Sequence, residues 1–412
     1  MTSEGLPFRL PEGDASRLGG NQIGLKEYNE RIVLSLILEA GALSKAEIAR
    51  ITRLSPQTVT NLVNRLLEER LLRKKNVVRG RVGQPSTPIE LDPDGALSVG
   101  VKIGRRSLDL IALSFDRQIV GRSRFGYDVL EKAVVFELIG PAYRRLVDAL
   151  TPHQRARLVG IGVAAPTALE NGTAVIGDPG SGSSRWPEAD LVARIEEVSG
   201  LDVIIANDAA AACLAEIEFA RENRHRSMVY FYLSTLIGGG VVVDGTVVFG
   251  GTGNAGAVNA MPLALSAAGE AQPAQLIEAA SLDRLEAMAA RQGIAAGIFR
   301  VDGKPGGTLD AAALACFEEW CGLAADALAF AAIAGTSFIE AEEVVLDGVL
   351  QRALLHRLLS ATKARLRAYN LEGIVVPELR LGRIGFDARA VGAAILPMIA
   401  HFLPDKKGLQ RR

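Results

Sequence analysis

Two short stretches of the sequence carry residues whose types and spacing could do chemistry. The first, Lys102-Ile-Gly104-Arg105-Arg106-Ser107, is a turn between two apolar runs. Such turns often hold phosphate with backbone N–H groups, but they usually carry more glycine, which lets the backbone approach the ligand. Here three cations stand in and before the turn. Three interpretations remain open: an anion site, ion pairs across a cleft that hold the protein in one arrangement, or a solvated hairpin tip.

The second candidate is Asn207-Asp208, which lies between the apolar run "LDVII" and the alanine-rich stretch "AAAACLAE". This pattern predicts a strand that ends at the pair and a helix that begins there. A carboxylate and an amide in that position could bind sugar hydroxyls by charge-assisted hydrogen bonds. They could also cap the following helix, because Asn and Asp side chains accept hydrogen bonds from its first N–H groups. The two roles are compatible.

The charge distribution points to nucleic acid. The chain of 412 residues has a net charge of −1, yet the segment from Ser44 to Pro88 contains ten Lys and Arg residues and three Asp and Glu residues. A compact basic segment on an acidic body suggests that this segment contacts nucleic acid. The alternative is that the basic residues of this segment only form a solvated surface. That alternative would be favoured if the segment carried no DNA-binding motif.

The number of cysteines and the hydropathy of the sequence indicate in which cellular compartment the protein works. The three cysteines, Cys213, Cys316 and Cys321, contain no CxxC pair, which argues against a disulfide-rich secreted protein. Cys316 and Cys321 fall on an apolar helix pattern and are expected in the core. No run of about 18 residues is free of charges and breaks, and the N-terminus lacks an apolar signal core. We therefore expect a cytoplasmic protein with no membrane partner.

Residues 25–95 read as a winged helix-turn-helix domain that follows a flexible arm, residues 1–24. The first helix is predicted over 28–40, and a capping box, Ser44 with Glu47, opens the second. Ser55 and Pro56 then provide an N-cap and a first helical residue for a third helix that ends near residue 70. Two short helices with a short turn indicate helix-turn-helix, although Arg53 stands where such turns usually carry glycine. Extended runs at 71–78 and 89–91 predict the wing.

The third helix and the wing present side chains suited to base edges and phosphates. Apolar residues of the third helix form an inward stripe and leave polar ones outside. The alternative is that these polar residues merely solvate a surface helix. The predicted DNA-contacting residues are Ser55, Gln57, Thr58, Thr60, Asn61, Asn64 and Arg65 on the helix, and Arg79, Arg81 and Gln84 on the wing.

Residues 96–412 have an α/β pattern that occurs twice. Strand-like runs at 97–103, 107–114 and 118–124 precede a helical stretch at about 129–150 and the buried strand in "RLVGIGVAAPTAL". The stretch "SMVYFYLSTLIGGGVVVDGTVVFGG" repeats the hairpins, and further strand–loop–helix patterns follow it. This repetition predicts two related α/β lobes with a cleft between them.

The chain resembles the ROK family, which comprises sugar kinases and sugar-responsive repressors. The front resembles the winged helix of the repressor branch, and "GIGVAAPT", "NDAAAACLAE", "IGGGVVVDG" and "DARAVGAA" resemble landmarks of the body. The resemblance covers nearly the whole chain. It implies an N-terminal winged helix-turn-helix followed by a two-lobed, actin/hexokinase-like (ribonuclease H-like) α/β body that binds a ligand and assembles into oligomers.

Departures from the family pattern fall on the nucleotide and zinc positions. The family's Asp-x-Gly-Gly-Thr loop corresponds to Lys102–Arg106, and its second loop, Gly-Thr-Gly, to Ser234-Thr235-Leu236. Asp347-Gly348 stands at a third nucleotide contact, so we expect no ATP site. The zinc motif Glu-x-Gly-His falls on 257–260, and the Cys-rich loop falls on 265–281, which contains no cysteine. We therefore expect no metal and no cofactor.

The resemblance also implies half of a sugar pocket. Asn207 and Asp208 correspond to the family's hydroxyl-binding pair, and the aspartate at the position of Asp208 is the catalytic base in the kinases of the family. Glu278 corresponds to the acidic residue that closes the Cys-rich loop. Ala257 and Ala260 replace the family's Glu and His. Asn207, Asp208 and Glu278 are the predicted effector-binding residues, and Lys102, Arg105 and Arg106 are a possible anion site.

These observations predict a DNA-binding regulator, most simply a repressor, of genes for carbohydrate metabolism. Its expected partners are double-stranded DNA, in the form of an inverted-repeat operator, and a sugar or sugar phosphate. A homodimer or homotetramer is expected. One alternative is a bifunctional DNA-binding sugar kinase, which the altered phosphate loops disfavour. Another is a ligand-independent scaffold with a vestigial pocket, which the two replaced pocket residues favour.

Overall fold

The chain folds into two compact units. The computed structural model describes residues 22–75, 87–166, 186–220, 226–265, 273–301, 303 and 306–404. One unit, here the central unit, comprises Asn207–Gly392, and the other, here the N-terminal unit, combines the preceding residues with those from Ala393 onward. The chain therefore passes between units after Ala206 and again after Gly392.

The N-terminal unit begins with the predicted winged helix. Ser44 and Glu47 form the reciprocal capping box at the start of the second helix, and the Ser55 hydroxyl accepts the backbone N–H of Thr58 at 3.1 Å at the start of the third. Two short antiparallel strands flank the wing tip. The elements are α1 Gln22–Ala40, α2 Lys45–Thr52, α3 Pro56–Glu68, β1 Leu72–Lys74 and β2 Ile89–Leu91. This arrangement confirms the predicted winged helix-turn-helix.

The winged helix shares its hydrophobic core with the rest of its unit. Its apolar stripes, which include Ile37, Val59 and Leu66, form one buried cluster that also contains Phe115 and Met398. Because burial of apolar surface is the main favourable term in folding, this shared cluster ties the winged helix to residues far along the chain. The winged helix is therefore not packed as a separate module.

The remainder of the N-terminal unit is a five-stranded mixed sheet with helices, and its strand order is β5-β4-β3-β6-β7. Strands β3, β4 and β5 form antiparallel hairpins, and β6 joins β3 in parallel. The elements are β3 Leu97–Ile103, β4 Ser107–Ser114, β5 Ile119–Gly126, α4 Lys132–Asp148, α5 Pro152–Arg155, β6 Leu158–Ala165, α6 Glu188–Ser199 and β7 Val203–Asn207.

The central unit repeats this design with the strand order β10-β9-β8-β11-β12. Two antiparallel pairings are again followed by parallel ones, which confirms the expected pair of related lobes. The elements are α7 Asp208–Phe219, β8 Met228–Leu233, β9 Gly238–Val243, β10 Thr246–Val248, α8 Leu276–Ala280, α9 Leu282–Arg291, α10 Ala311–Ile339, β11 Glu343–Gly348, α11 Arg352–Leu366, β12 Glu378–Leu381 and α12 Ala388–Phe402. The last helix, α12, begins in this unit and ends in the other.

The predicted boundaries need two corrections. The first helix begins at Gln22 rather than residue 28, so residues 22–24 of the expected arm are helical. The added residues from the arm are Gln22, Ile23 and Gly24, and glycine is a poor helix former, so local helix propensity does not explain the extension. The first wing strand ends at Lys74, earlier than the predicted 78. The rest of the arm and the wing tip lie outside the described residues.

In the part of the chain that the structure describes, one helix, α10, is long and apolar enough to cross a membrane by length and composition. Phe317 and Trp320 on this helix are fully buried, as are Cys316 and Cys321. Long apolar helices of this kind also occur in the cores of globular domains. The cysteines are therefore core residues, as expected.

The turn between α2 and α3 generates a stability prediction. Arg53 adopts a left-handed backbone with φ of 57°, a conformation that costs an L-residue about 1–2 kcal/mol. We expect Arg53→Gly to raise the free energy of unfolding by about 0.5–1 kcal/mol, since the relief of strain exceeds the added freedom of the unfolded chain. Urea unfolding measures the change.

Arg50→Gly is the matched control, because Arg50 lies on the exposed side of α2 with helical geometry. This change should lower the free energy of unfolding by about 1 kcal/mol. Loss of stability in Arg53→Gly as well would show that the Arg53 side chain contributes more than its backbone costs.

Candidate DNA-binding and effector sites

The third helix presents a polar outer surface. Ser55, Gln57, Thr58, Asn61 and Asn64 are exposed, whereas the apolar stripe of α3 is buried. The Gln57 amide donates to Asn61 Oδ1 at 3.0 Å, which orients one amide relative to the other. This surface therefore offers donors and acceptors of the kind that read base edges.

Three further predicted DNA residues, Thr60, Asn64 and Arg65, also have partners within the protein. Thr60 is half-buried, and its hydroxyl donates to the Pro56 carbonyl at 2.8 Å. Asn64 Oδ1 accepts from Lys45 Nζ at 2.7 Å. Arg65 is half-buried and forms an ion pair with Glu30 of α1, so a contact between Arg65 and DNA would require this pair to open. Arg79, Arg81 and Gln84 of the wing lie outside the described residues.

The altered phosphate loop is filled by its own lysine. Lys102 and Asp109 are paired directly across the β3–β4 hairpin, and Lys102 Nζ donates to Asp109 Oδ2 at 2.7 Å and to Ser107 Oγ at 3.1 Å. The lysine side chain crosses the turn so closely that a Cβ on Gly104 would lie 2.6 Å from Nζ. Arg124 adds a second cation 3.3 Å from Asp109 Oδ1.

These contacts define the electrostatics of the loop. Burial alone would raise the pKa of Asp109, but the Lys102 ammonium, the Ser107 hydroxyl and Arg124 outweigh burial and hold it below its ordinary value. Arg105 is half-buried and Arg106 is exposed. The Lys102 charge is already matched by a carboxylate, which disfavours an anion site at Lys102. The Lys102–Asp109 pair lies within one hairpin, and the roles of Arg105 and Arg106 stay predictions.

The second altered loop is occupied by protein groups as well. The Ser234 hydroxyl donates to the Leu236 carbonyl at 2.7 Å. The backbone N–H groups of Leu282 and Asp283, at the start of α9, donate to the carbonyls of Ser234 and Thr235 at 3.1 and 3.0 Å. The loop therefore serves as a docking point for the N-terminus of a helix.

At the third altered position, Asp347 is a buried carboxylate at the end of β11. It accepts the backbone N–H of Gly348 at 2.9 Å, that of Gly385 at 3.1 Å and the Tyr230 hydroxyl at 3.0 Å. Burial raises the pKa of Asp347 to about 6, and the nearby Glu216 charge acts in the same direction. These hydrogen bonds connect the strand to the turn that leads into α12.

The predicted sugar-binding pair lies at the junction of β7 and α7. The Asn207 side chain caps α7 by accepting the N–H groups of Ala209 and Ala210 at 3.0 and 3.1 Å, so the capping role is present. Asp208 carries a different partner, because Arg389 Nη1 donates to its Oδ2 at 3.1 Å. The Asp208 side chain is 20% exposed, so its carboxylate remains accessible.

The remaining predicted effector residue caps a helix. Glu278 is exposed, and its Oε1 accepts the backbone N–H of Gln275 at the start of α8 at 2.9 Å. The segment that replaces the zinc motif forms a 3-10 turn, Val258–Ala260. Among the described residues, no three His, Cys, Asp or Glu side chains lie close enough to hold a metal ion; part of the Cys-rich loop region lies outside them.

Sequence reasoning missed Arg389 and Glu216. Glu216 of α7 is fully buried, and it accepts hydrogen bonds from Arg380 Nη1 at 2.5 Å and from the backbone N–H of Arg383 at 2.8 Å. The sequence did contain a signal for both residues: Arg389 is the one basic residue in "DARAVGAA", and Glu216 is the one acidic residue in "AAAACLAE". A charged residue within an apolar helix pattern needs a partner when it is buried.

The fold and these sites define a sugar-kinase-like α/β body with a winged helix at its front. The ROK family model matches residues 98–398, and a MarR family model matches residues 27–81. The chain belongs to the ROK family. It is 23% identical over 243 residues to the xylose repressor of Bacillus spizizenii, a match that covers 59% of this chain and 62% of that protein. The match thus spans less than two thirds of the relative.

Two solved structures share the fold. A ROK family transcriptional regulator, described as a homologue of the E. coli MLC protein, superposes with a TM-score of 0.67 at 18% identity over 92% of this chain and 97% of that one. A ROK family glucokinase from Streptomyces griseus, in complex with glucose and AMPPNP, gives 0.56 at 18% identity over 73% and 99%. At these identities the likeness concerns the fold.

The Lys102–Asp109 pair generates the prediction for this site. Lys102→Met removes the closest cation from a buried carboxylate and should lower the free energy of unfolding at pH 7 by about 3 kcal/mol, the lower end for breaking a buried pair, because Arg124 remains. The pKa of Asp109 is lowered in the folded state, so the pair stabilises above the unfolded-state pKa. Its contribution disappears as the pH falls through the folded-state pKa.

Urea unfolding at pH 7 and near pH 3 therefore separates two readings of Lys102. A structural pair predicts a large loss at pH 7 and a smaller loss in acid, because the contribution of the pair declines once the pH falls below the unfolded-state pKa of Asp109. The control is Lys132→Met, which breaks a more exposed pair with Asp190 and should cost at most about 1 kcal/mol. Equal, small effects of both variants at pH 7 would exclude a structural role for Lys102.

Proposed function

We propose that the protein is a DNA-binding transcriptional repressor whose kinase-like body binds a sugar or sugar phosphate and does not transfer phosphate. The observation that carries this proposal is the exposed polar surface of α3 in a winged helix that precedes a ROK body. The name of the Bacillus spizizenii relative, xylose repressor, supports it, and a pentose is the first effector to test.

The DNA-binding part of the proposal rests on α3. Gln57, Thr58 and Asn61 would enter the major groove and contact base edges, while the basic segment around them would neutralise phosphates. A winged helix reads a short site, so we propose a dimer, or a tetramer of two such dimers, on an inverted repeat. Such a protein works in the cytoplasm, where its DNA is.

The effector part rests on the accessible carboxylate of Asp208. Its free coordination sites could accept sugar hydroxyls, while Asn207 holds the start of α7 in place. The capping role of Glu278 leaves one of its oxygens for a ligand. The proposed pocket thus uses side chains that already stabilise helix ends.

The non-enzymatic part rests on three filled loops. Lys102, the Ser234 turn and Asp347 occupy the positions at which the family pattern implies nucleotide contacts, and each is engaged with protein groups. A triphosphate would have to displace them. The alternative, a bifunctional DNA-binding sugar kinase, is favoured only by the retention of Asp208. That carboxylate is already engaged, because Arg389 Nη1 donates to its Oδ2 at 3.1 Å.

Asn61→Ala tests the assignment of α3. DNA selected from a random pool by the full chain should contain a two-fold-related motif, and Asn61→Ala should weaken binding to it by about 1–3 kcal/mol, because one bidentate base contact is lost. Asn370→Ala, which removes an exposed asparagine from the central unit, should bind like the parent. Binding should fall steeply with salt in all three proteins. Equal affinity of the Asn61 variant and the parent would refute the assignment.

Turnover of ATP tests the kinase alternative. Incubation of the full chain with Mg–ATP and a panel of pentoses and hexoses should give no sugar-dependent ADP, because the phosphate loops are filled. A known sugar kinase under the same conditions provides the positive control. Sugar-dependent ADP formation that Asp208→Asn abolishes would establish the bifunctional alternative instead.

A further inference from the structure

One ion pair in the central unit joins the two places where the chain passes between units. Asp208 is the second residue after the first crossing, and Arg389 lies three residues before the second crossing. Arg389 Nη1 donates to Asp208 Oδ2 at 3.1 Å. The arginine side chain is 10% exposed and the aspartate 20%, so the pair is largely withdrawn from water while the carboxylate can be reached by a solute.

The position of Arg389 makes this pair a constraint on α12. Arg389 lies in the first turn of α12, where the helix dipole disfavours a positive charge. Asp208 lies in the first turn of α7, where the dipole favours its negative charge. The Tyr232 ring, 5.0 Å from the guanidinium carbon, gives Arg389 a second favourable contact. The first turn of α12 therefore depends on the charge of Asp208.

The first half of α12 also packs tightly against α7. A Cβ at Gly392 would collide with the backbone carbonyl of Ala211 in α7, so the two helices touch backbone to backbone. A close-packed contact of this kind moves as a unit, because it has no space in which to absorb a shift. A change at Asp208 and Arg389 is thus carried into the helix.

The other end of α12 belongs to the core of the winged helix. Met398 lies in the buried cluster that contains the apolar stripes of α1, α2 and α3. The rings of Phe402 and Phe115 are 4.8 Å apart, and Arg31 of α1 donates to the Leu403 carbonyl at 3.4 Å. One continuous helix, α12, therefore begins at the Asp208–Arg389 ion pair and ends in the hydrophobic core of the winged helix.

We infer that the Asp208–Arg389 pair is the contact through which the effector controls DNA binding, and that α12 carries the change. A sugar hydroxyl that donates to Asp208 Oδ2 competes with Arg389 for that oxygen, and hydroxyls on the other coordination sites share the same negative charge, which weakens the first turn of α12 and loosens its far end in the winged-helix core. The identity of the ligand and of the DNA rests on the proposed function; the coupling along α12 does not.

Arg389→Met, which keeps the bulk of the side chain and removes its charge, should mimic the effector. In the full chain and without any sugar, it should weaken binding to the selected DNA at least about tenfold, or about 1.4 kcal/mol. Arg389→Lys, which keeps the cation but loses the planar guanidinium over Tyr232, should weaken DNA binding less than Arg389→Met does. Arg357→Met is the matched control: it breaks an exposed pair with Glu318 between α11 and α10 and should bind DNA like the parent.

Hydrogen exchange measured by mass spectrometry supplies a readout that needs no DNA. Arg389→Met should speed exchange in two places, residues 393–402 and the core-facing residues of α1, and Arg357→Met in neither. Parent-like or tighter DNA binding by Arg389→Met, or faster exchange confined to residues before 393, would overturn the inference. Should this variant not fold, Asp208→Asn provides the same comparison. A parent that selects no DNA would refute the proposed function, while the exchange pattern would still decide the coupling.

Discussion

The hydrophobic cluster that the winged helix shares with Phe115 and Met398 is the constraint on which the rest of this structure depends. A domain of the size of residues 25–95 buries only about 60% of its unfolded surface by itself and is marginally stable. Here its core includes Phe115, in the turn after β4, and Met398 of the last helix. The winged helix therefore gains stability from the body, and its orientation is tied to α12.

The body shows how charged side chains fill positions that the family pattern assigns to a nucleotide. Lys102 lies across its own turn and pairs with Asp109, and Asp347 collects backbone N–H groups that precede α12. Each of these groups is buried and hydrogen-bonded, as a charge in the interior must be. These side chains therefore contribute to the structure of the loops, and the carboxylate of Asp208 near the start of α7 remains partly exposed.

Local chemistry made most of the fold predictable. Capping residues such as Ser44 and Ser55 marked helix starts. The alternation of apolar runs and turns gave β3–β5 close to their observed ends and located the hairpin stretch of the second lobe. The Lys102–Asp109 pair was within reach of the sequence too, because a hairpin with its turn at 104–107 places these residues opposite each other. The prediction considered only partners across a cleft and so missed it.

What could not be predicted depends on contacts between distant parts of the chain. Asp208 and Arg389 are 181 positions apart, and Arg65 meets Glu30 because α1 and α3 pack into one hydrophobic cluster. No local pattern encodes such pairs. The same holds for the end of α12, which the sequence indicated only as part of a strand–loop–helix pattern and which contributes Met398 to the core of the winged helix.

The central claim, that a DNA-reading winged helix is joined to a sensing body, is tested most directly by mapping the genomic DNA that the full chain binds in the cell. The account predicts a small number of enriched sites that share a two-fold-related motif and lie beside genes for carbohydrate uptake or metabolism, and it predicts loss of this enrichment in Asn61→Ala. Uniform coverage with no shared motif, or enrichment that persists in that variant, would contradict it.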